Sequence, residues 1–211
     1  RRQWAQLRQN LAHYEQANRD AGLPKPGEKR IVCVGSGAMA RWNLAADFPN
    51  SSLLNRGLDG ETTRQLRMRF HQDVVALKPA AAVIFLGHCD DFAPQHRMSL
   101  MDTESHLARI ARLAKGSGIR LAIGAVTPVN ETLARQNHWR PRPVSEVRKL
   151  NAWIQQLCAE NGYVFADCFQ PVADQRGQLR AEFTNDGLDF NAAGYVALKP
   201  SLERALAELS Q

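Results

Sequence analysis

Five short apolar runs, the last four each followed by a segment of helical spacing, constrain this chain more than any other feature. Residues 31–34, 52–55, 82–86, 121–126 and 163–167 have strand length. Between them, apolar residues recur at the 3.6-residue period. Leu66, Phe70 and Val74 mark a helix from about 61 to 77, closed by Pro79. Leu107, Ile110, Leu113 and Ala114 mark the next, ending near residues 116–118. Val147, Leu150, Ile154 and Leu157 give the clearest stripe, stopped at Asn161-Gly162, and Tyr195, Leu198, Leu202 and Leu206 mark a closing helix. Ahead of them, Trp4, Leu7, Leu11 and Tyr14 predict an amphipathic helix over 3–19, ended by a Gly/Pro linker at 22–27. Continuously apolar strands bury both faces, which requires a parallel sheet with helices on each side. The reading is an α/β chain: a three-layer α/β/α sandwich around a five-stranded parallel sheet, in the flavodoxin-like order 2-1-3-4-5. Residues 1–211 form one domain in this reading, with 1–28 as a helix and linker packed on it.

The bulk numbers fit that reading and exclude several classes. At 211 residues the chain can bury a full core, and no apolar run reaches the length of a membrane span. The net charge of +6 comes from basic residues spread along the chain, with only small groups at Arg64/Arg67/Arg69 and Arg140/Arg142. A nucleic-acid surface needs a denser stripe or a recognisable module, so a solvated basic face is the reading here. The four cysteines form no CxxC pair, and Cys33 and Cys168 lie in apolar runs as small hydrophobes.

The topology names a site. In such sheets, ligands bind beyond the carboxyl ends of the strands, where the strand order reverses. That places Gly35-Ser36-Gly37, Gly87-His88-Cys89-Asp90, the long loop 127–143 and the turn 186–191 on one edge.

Four ordered blocks in those loops resemble the SGNH hydrolases, the GDSL esterase/lipase family. They are Val34-Gly35-Ser36-Gly37 with Trp42 downstream, Asn55-Arg56-Gly57 through Thr62-Thr63, Leu86-Gly87-His88-Cys89-Asp90, and Asp186-Gly187-Leu188-Asp189-Phe190-Asn191. The resemblance implies the positions of a serine nucleophile, a histidine base with its orienting aspartate, and an oxyanion hole made by a glycine N–H and an asparagine amide. Carried over, the glycine is Gly57 and the orienting aspartate is Asp186. The serine falls on Gly37, the asparagine on Cys89 and the histidine on Asp189. Acyl transfer needs a nucleophile, a base and donors aimed at the developing oxyanion. Gly37 has no side chain, Cys89 has no amide, and a carboxylate at Asp189 beside Asp186 is a weaker base than imidazole.

Neighbouring residues complete the list. Ser36 is adjacent to the lost nucleophile, but successive side chains at a strand end point apart. Cys89 is a nucleophile only if its pKa is lowered, and otherwise fills the asparagine's space. Asp90 stands where the family has an acid that supports the loop. The set Ser36, His88, Asp90, Trp139 and Arg140 is the expected ligand-contacting group, with Trp139 suited either to stacking on a sugar or to packing its own loop. Trp42 is expected to pack under the first loop. No metal and no cofactor is expected. The expected function is a non-catalytic binder of a carbohydrate or acyl-bearing ligand. The alternative is an acyl or carbohydrate-ester hydrolase using unusual residues such as Cys89. The resemblance further points to an extracytoplasmic location.

Overall fold

A computed structural model describes residues 2–88, 91, 98–139 and 143–211, with side chains from residue 8 onward. Five strands form one parallel sheet in the order β2-β1-β3-β4-β5. They are β1 (Ile31–Gly35), β2 (Leu53–Gly57), β3 (Ala81–Ile84), β4 (Arg120–Gly124) and β5 (Val164–Ala166). The order is the one the alternating pattern predicts.

Because side chains alternate along a strand, each strand feeds two cores. Val32, Val34, Ala82, Ile84, Leu121 and Ile123 face one layer of helices: α5 (Thr63–Asp73), α6 (Leu100–Gly116) and α8 (Val144–Asn161), which contribute Leu66, Phe70, Leu107, Ile110, Leu150 and Ile154. Ile31, Cys33, Ala81, Val83 and Ala122 face the other side. There α9 (Ala192–Leu209) supplies Leu198 and Leu202, and the short helices α3 (Gly37–Ala40) and α4 (Leu44–Asp47) bring Met39 and Leu44. The helices start where side chains can satisfy their first N–H groups. Thr62 with Gln65 and Ser99 with Asp102 form reciprocal capping boxes on α5 and α6, Asn130 accepts from Leu133 N at the start of α7 (Glu131–Gln136), and Asn191 accepts from Gly194 N on α9. Gly162, at φ 71°, ends α8 in the left-handed conformation that glycine adopts without strain.

Two helices are shorter than their periodicity suggests. The leading segment is split into α1 (Arg2–His13) and α2 (Glu15–Ala21), with Tyr14 at the break. Tyr14 leaves the helix because it is used elsewhere: its hydroxyl donates to the Gly57 carbonyl at 2.5 Å, and Arg56 lies 4.9 Å above its ring. The helix read as 61–77 ends at Asp73, where Val74 leaves the helical region at φ −127°, and a 3-10 turn, Val75–Leu77, follows and is closed by Lys78 in the left-handed region at φ 47°.

The leading helices pack on α5 and are fastened to the end of β2 by side-chain hydrogen bonds. Arg56 reaches the Ala17 carbonyl at 3.2 Å and Asn18 Oδ1 at 2.8 Å, and Asn18 donates to Asp73 at 2.6 Å. Beneath this seam Arg69 is fully buried between Glu61, at 2.5 Å, and Asp73, at 3.1 Å, and it also donates to the Arg56 carbonyl. Among the described residues no helix is long and apolar enough to cross a membrane.

Candidate functional site

The loop leaving β1 is set by close backbone packing. Gly35 sits at φ 151°, and a Cβ there would come within 2.6 Å of the Phe85 carbonyl carbon. Gly57 presses against α3: a Cβ on it would stand 2.8 Å from Ala40 Cα. Asn55 locks the same contact, donating to the carbonyls of Met39 at 2.8 Å and Trp42 at 3.1 Å. Trp42 is buried beneath the loop, with ring centres 5.7 Å from Phe85 and 5.3 Å from Tyr195. Gly37 is therefore held as the first residue of α3 at the carboxyl edge of the sheet.

A guanidinium stands where a side chain at residue 37 would project. Arg41 follows Gly37 by one turn, so its side chain leans back over the same face. A Cβ on Gly37 would lie 2.5 Å from Arg41 Nη2 and 2.9 Å from Nη1. Arg41 is held by two carboxylates: Nη1 lies 2.8 Å from Asp59, and Nη2 donates to Asp189. Burial raises the Asp189 carboxyl above the usual carboxylate range; Arg41 opposes this, and the charges of Asp186 and Asp59 add to it. Burial works against the charge on Arg41 as well, but Asp189 and Asp59 outweigh it and hold the guanidinium firmly protonated.

Asp186 serves its own turn. Its Oδ1 accepts from the backbone N–H groups of Leu188 and Asp189, both at 2.9 Å. The imidazole that feels its charge belongs to His88, after β3. Burial pushes His88 down to about 4, and Asp186 partly opposes the shift. His88 is thus neutral at pH 7 and a weak base. Gly57 keeps its place at the end of β2, but its N–H donates to Asn55 Oδ1 at 2.9 Å.

The structure brings Gly37 and Asp189 together through Arg41, with Gly57 packed on the same α3 turn and Asp186 on the same loop as Asp189. Ser36, of the expected ligand-contacting set, is buried, and its hydroxyl donates to the Leu86 carbonyl. Trp139 is half exposed, and its segment leans on the Asp186 loop: Asn130 N donates to the Gly187 carbonyl at 2.8 Å and Asn137 to the Asp186 carbonyl at 3.3 Å. Cys89, Asp90 and Arg140 lie outside the described residues. Among the described residues no group of three or more His, Cys, Asp or Glu is placed to hold a metal ion. The buried thiols Cys33, Cys158 and Cys168 are free and are pushed up to about 12 by burial, so they are inert as nucleophiles.

Sequence reading missed three residues here. Arg41 could have been found from its position one helical turn after a glycine. Asp59 lies within a quoted block but gave no signal of its own. Asp91 is the buried acid that ties the loop after β3 to its surroundings, accepting from Thr63 N and Thr103 Oγ1, both at 2.7 Å.

Comparisons with known proteins agree with this fold. The chain resembles a putative acylhydrolase from Bacteroides fragilis, at 24% identity and TM-score 0.86, over 96% of this chain and 98% of that one. It resembles a GDSL-like lipase from Bacteroides thetaiotaomicron at 26% identity and TM-score 0.83, over 94% and 98% of the two chains. A catalytic mutant of an acetylxylan esterase from Geobacillus stearothermophilus matches at 19% identity and TM-score 0.65, over 88% and 95%. A comparison with the curated proteins finds no match. The GDSL-like lipase/acylhydrolase family matches residues 28–197, which hold every strand of the sheet and the loops that carry Gly37, Gly57 and Asp189, and the chain belongs to that family.

Proposed function

We propose that this chain is a non-hydrolytic member of its family that binds a carbohydrate or acyl-bearing ligand at the carboxyl edge of the sheet. The observation that carries this reading is Arg41. Its guanidinium lies over Gly37, where a nucleophile would project, and engages Asp189, where the base would stand. Losing a nucleophile or its base from an acyl-transfer site typically costs about a millionfold in rate, and the losses act as a unit. Here both positions lack the working group. The part of the ligand reading that points to sugars rests on Trp139, half exposed and two residues after Asn137, which donates to the Asp186 carbonyl, and on the acetylxylan esterase among the structural neighbours. An aromatic face next to planar polar groups suits a pyranose ring.

Titration with acetylated xylo-oligosaccharides, with acetate release followed by proton NMR in the same samples, tests the reading. Saturable binding that weakens at least fivefold in Trp139→Ala, without acetate release, is expected. Protein-dependent acetate release would overturn it.

A second reading is ester hydrolysis with non-standard residues such as Cys89, favoured by the acylhydrolase and esterase neighbours. It predicts acyl labelling at Cys89 and turnover lost in Cys89→Ala.

A further inference from the structure

We infer that Arg41 is an internal plug, an autoinhibitory contact that covers Gly37 at the carboxyl edge of the sheet and must swing out before a ligand reaches that position. The inference rests on the proposed binding function, in that it takes the pocket to admit a ligand.

Three observations support it. First, the guanidinium stands within 2.5 Å of where a Cβ on residue 37 would be, so it fills the space a side chain there would use. Second, it is held by side-chain ends alone among the described residues: Asp59, after β2, Asp189, before α9, and the Tyr195 hydroxyl on α9. Third, all three side chains remain open to water, Arg41 at 37%, Asp59 at 72% and Asp189 at 52% exposure. Ion pairs this exposed contribute little to stability, because water competes for both partners. A turn of the Arg41 side chain therefore gives up two water-exposed ion pairs and one contact to the part-buried Tyr195 hydroxyl, which keeps its own bond to the Ala38 carbonyl. By contrast, the frame around it is rigid, because Gly57 and Gly35 meet backbone atoms and not movable side chains. A fixed frame with one soft occupant is the physical requirement for a plug.

Removing the plug should leave a vacancy of guanidinium shape, lined by the two acids that held it. The test is chemical complementation. Arg41→Ala should bind methylguanidinium saturably in the millimolar range by ligand-observed NMR, with methylammonium and sodium chloride as controls. Wild type should show none, because its own guanidinium fills the place. Arg41→Ala combined with Asp189→Asn should weaken the binding about tenfold. Arg41→Lys, which keeps the charge and the stem, is the second variant if Arg41→Ala does not fold, and it should bind the probe more weakly than Arg41→Ala but more than wild type. Equal methylguanidinium binding by wild type and both position-41 variants, or binding indifferent to Asp189, would overturn the plug. Acetate release by wild type would sink the non-hydrolytic reading and leave this result untouched, so the two failures are distinct.

Discussion

Two arginines in this molecule each stand between two carboxylates, and they do opposite work. Arg69 lies between Glu61 and Asp73 with no exposure on the arginine or on Asp73, and only 1% on Glu61. Arg41 lies between Asp59 and Asp189 with all three partly in water. The donors and acceptors are the same; burial decides the outcome. In the interior, removing one partner strands a charge in a low-dielectric medium, so the arrangement is fixed once formed. At the edge of the pocket, water replaces each lost contact, so the arrangement can open. Arg69 therefore belongs to the seam that fastens the leading helices to β2, and Arg41 belongs to the site.

The largest effect should come from the buried member. Arg69→Ala leaves Glu61 and Asp73 unpaired and should cost about 3–5 kcal/mol in a denaturant melt, whereas Arg41→Ala should cost less than about 1 kcal/mol. Equal costs would break the comparison.

His88 comes next. Its folded pKa of about 4 lies below the unpaired value of 6.5. The unfolded chain therefore takes up a proton that the folded one refuses. Stability should be full above pH 6.5 and fall as the pH drops toward 4, by up to about 3 kcal/mol, levelling below that. His88→Gln should flatten this part of the pH–stability curve; an unchanged slope would show that burial of this imidazole is not its source.

Glycines around the site sharpen the contrast at smaller scale. Gly57→Ala drives a Cβ into the backbone of α3 and should destabilise by about 1–3 kcal/mol. In Gly37→Ala the atoms nearest the new Cβ are the ends of Arg41 and Asp59, which can move aside, so its cost should stay within the roughly 0.5 kcal/mol of an ordinary surface change. A reversed order would mean that Arg41 is as rigid as the frame.

The fold was legible in the sequence because its determinants are local and repeated. Continuous runs such as 31–34 demand burial on both faces, and the stripe Val147, Leu150, Ile154 demands a covering helix. The break at Tyr14 was not legible, because the hydroxyl partner that draws Tyr14 out of the helix is 43 residues away. The same holds for the site. The glycine, Gly37, and the carboxylate, Asp189, were visible as departures from a pattern, but what joins them is a contact across 148 residues, Arg41 to Asp189. Ser36 shows the limit from the other side. Its position beside Gly37 was legible, but not that its hydroxyl donates to the Leu86 carbonyl. Spacing locates a residue on an edge; the direction of its side chain depends on packing between strands.

The central claim, that an ester-hydrolase scaffold here carries a site without hydrolysis, is tested most directly by the initial rate of p-nitrophenyl acetate cleavage at pH 8 over a range of purified protein concentrations. The account predicts a rate equal to buffer at every concentration, in wild type and in Arg41→Ala alike, because uncovering Gly37 supplies no nucleophile. A rate that rises in proportion to wild-type protein, and is lost on changing Asp189→Asn or Cys89→Ala, would contradict it.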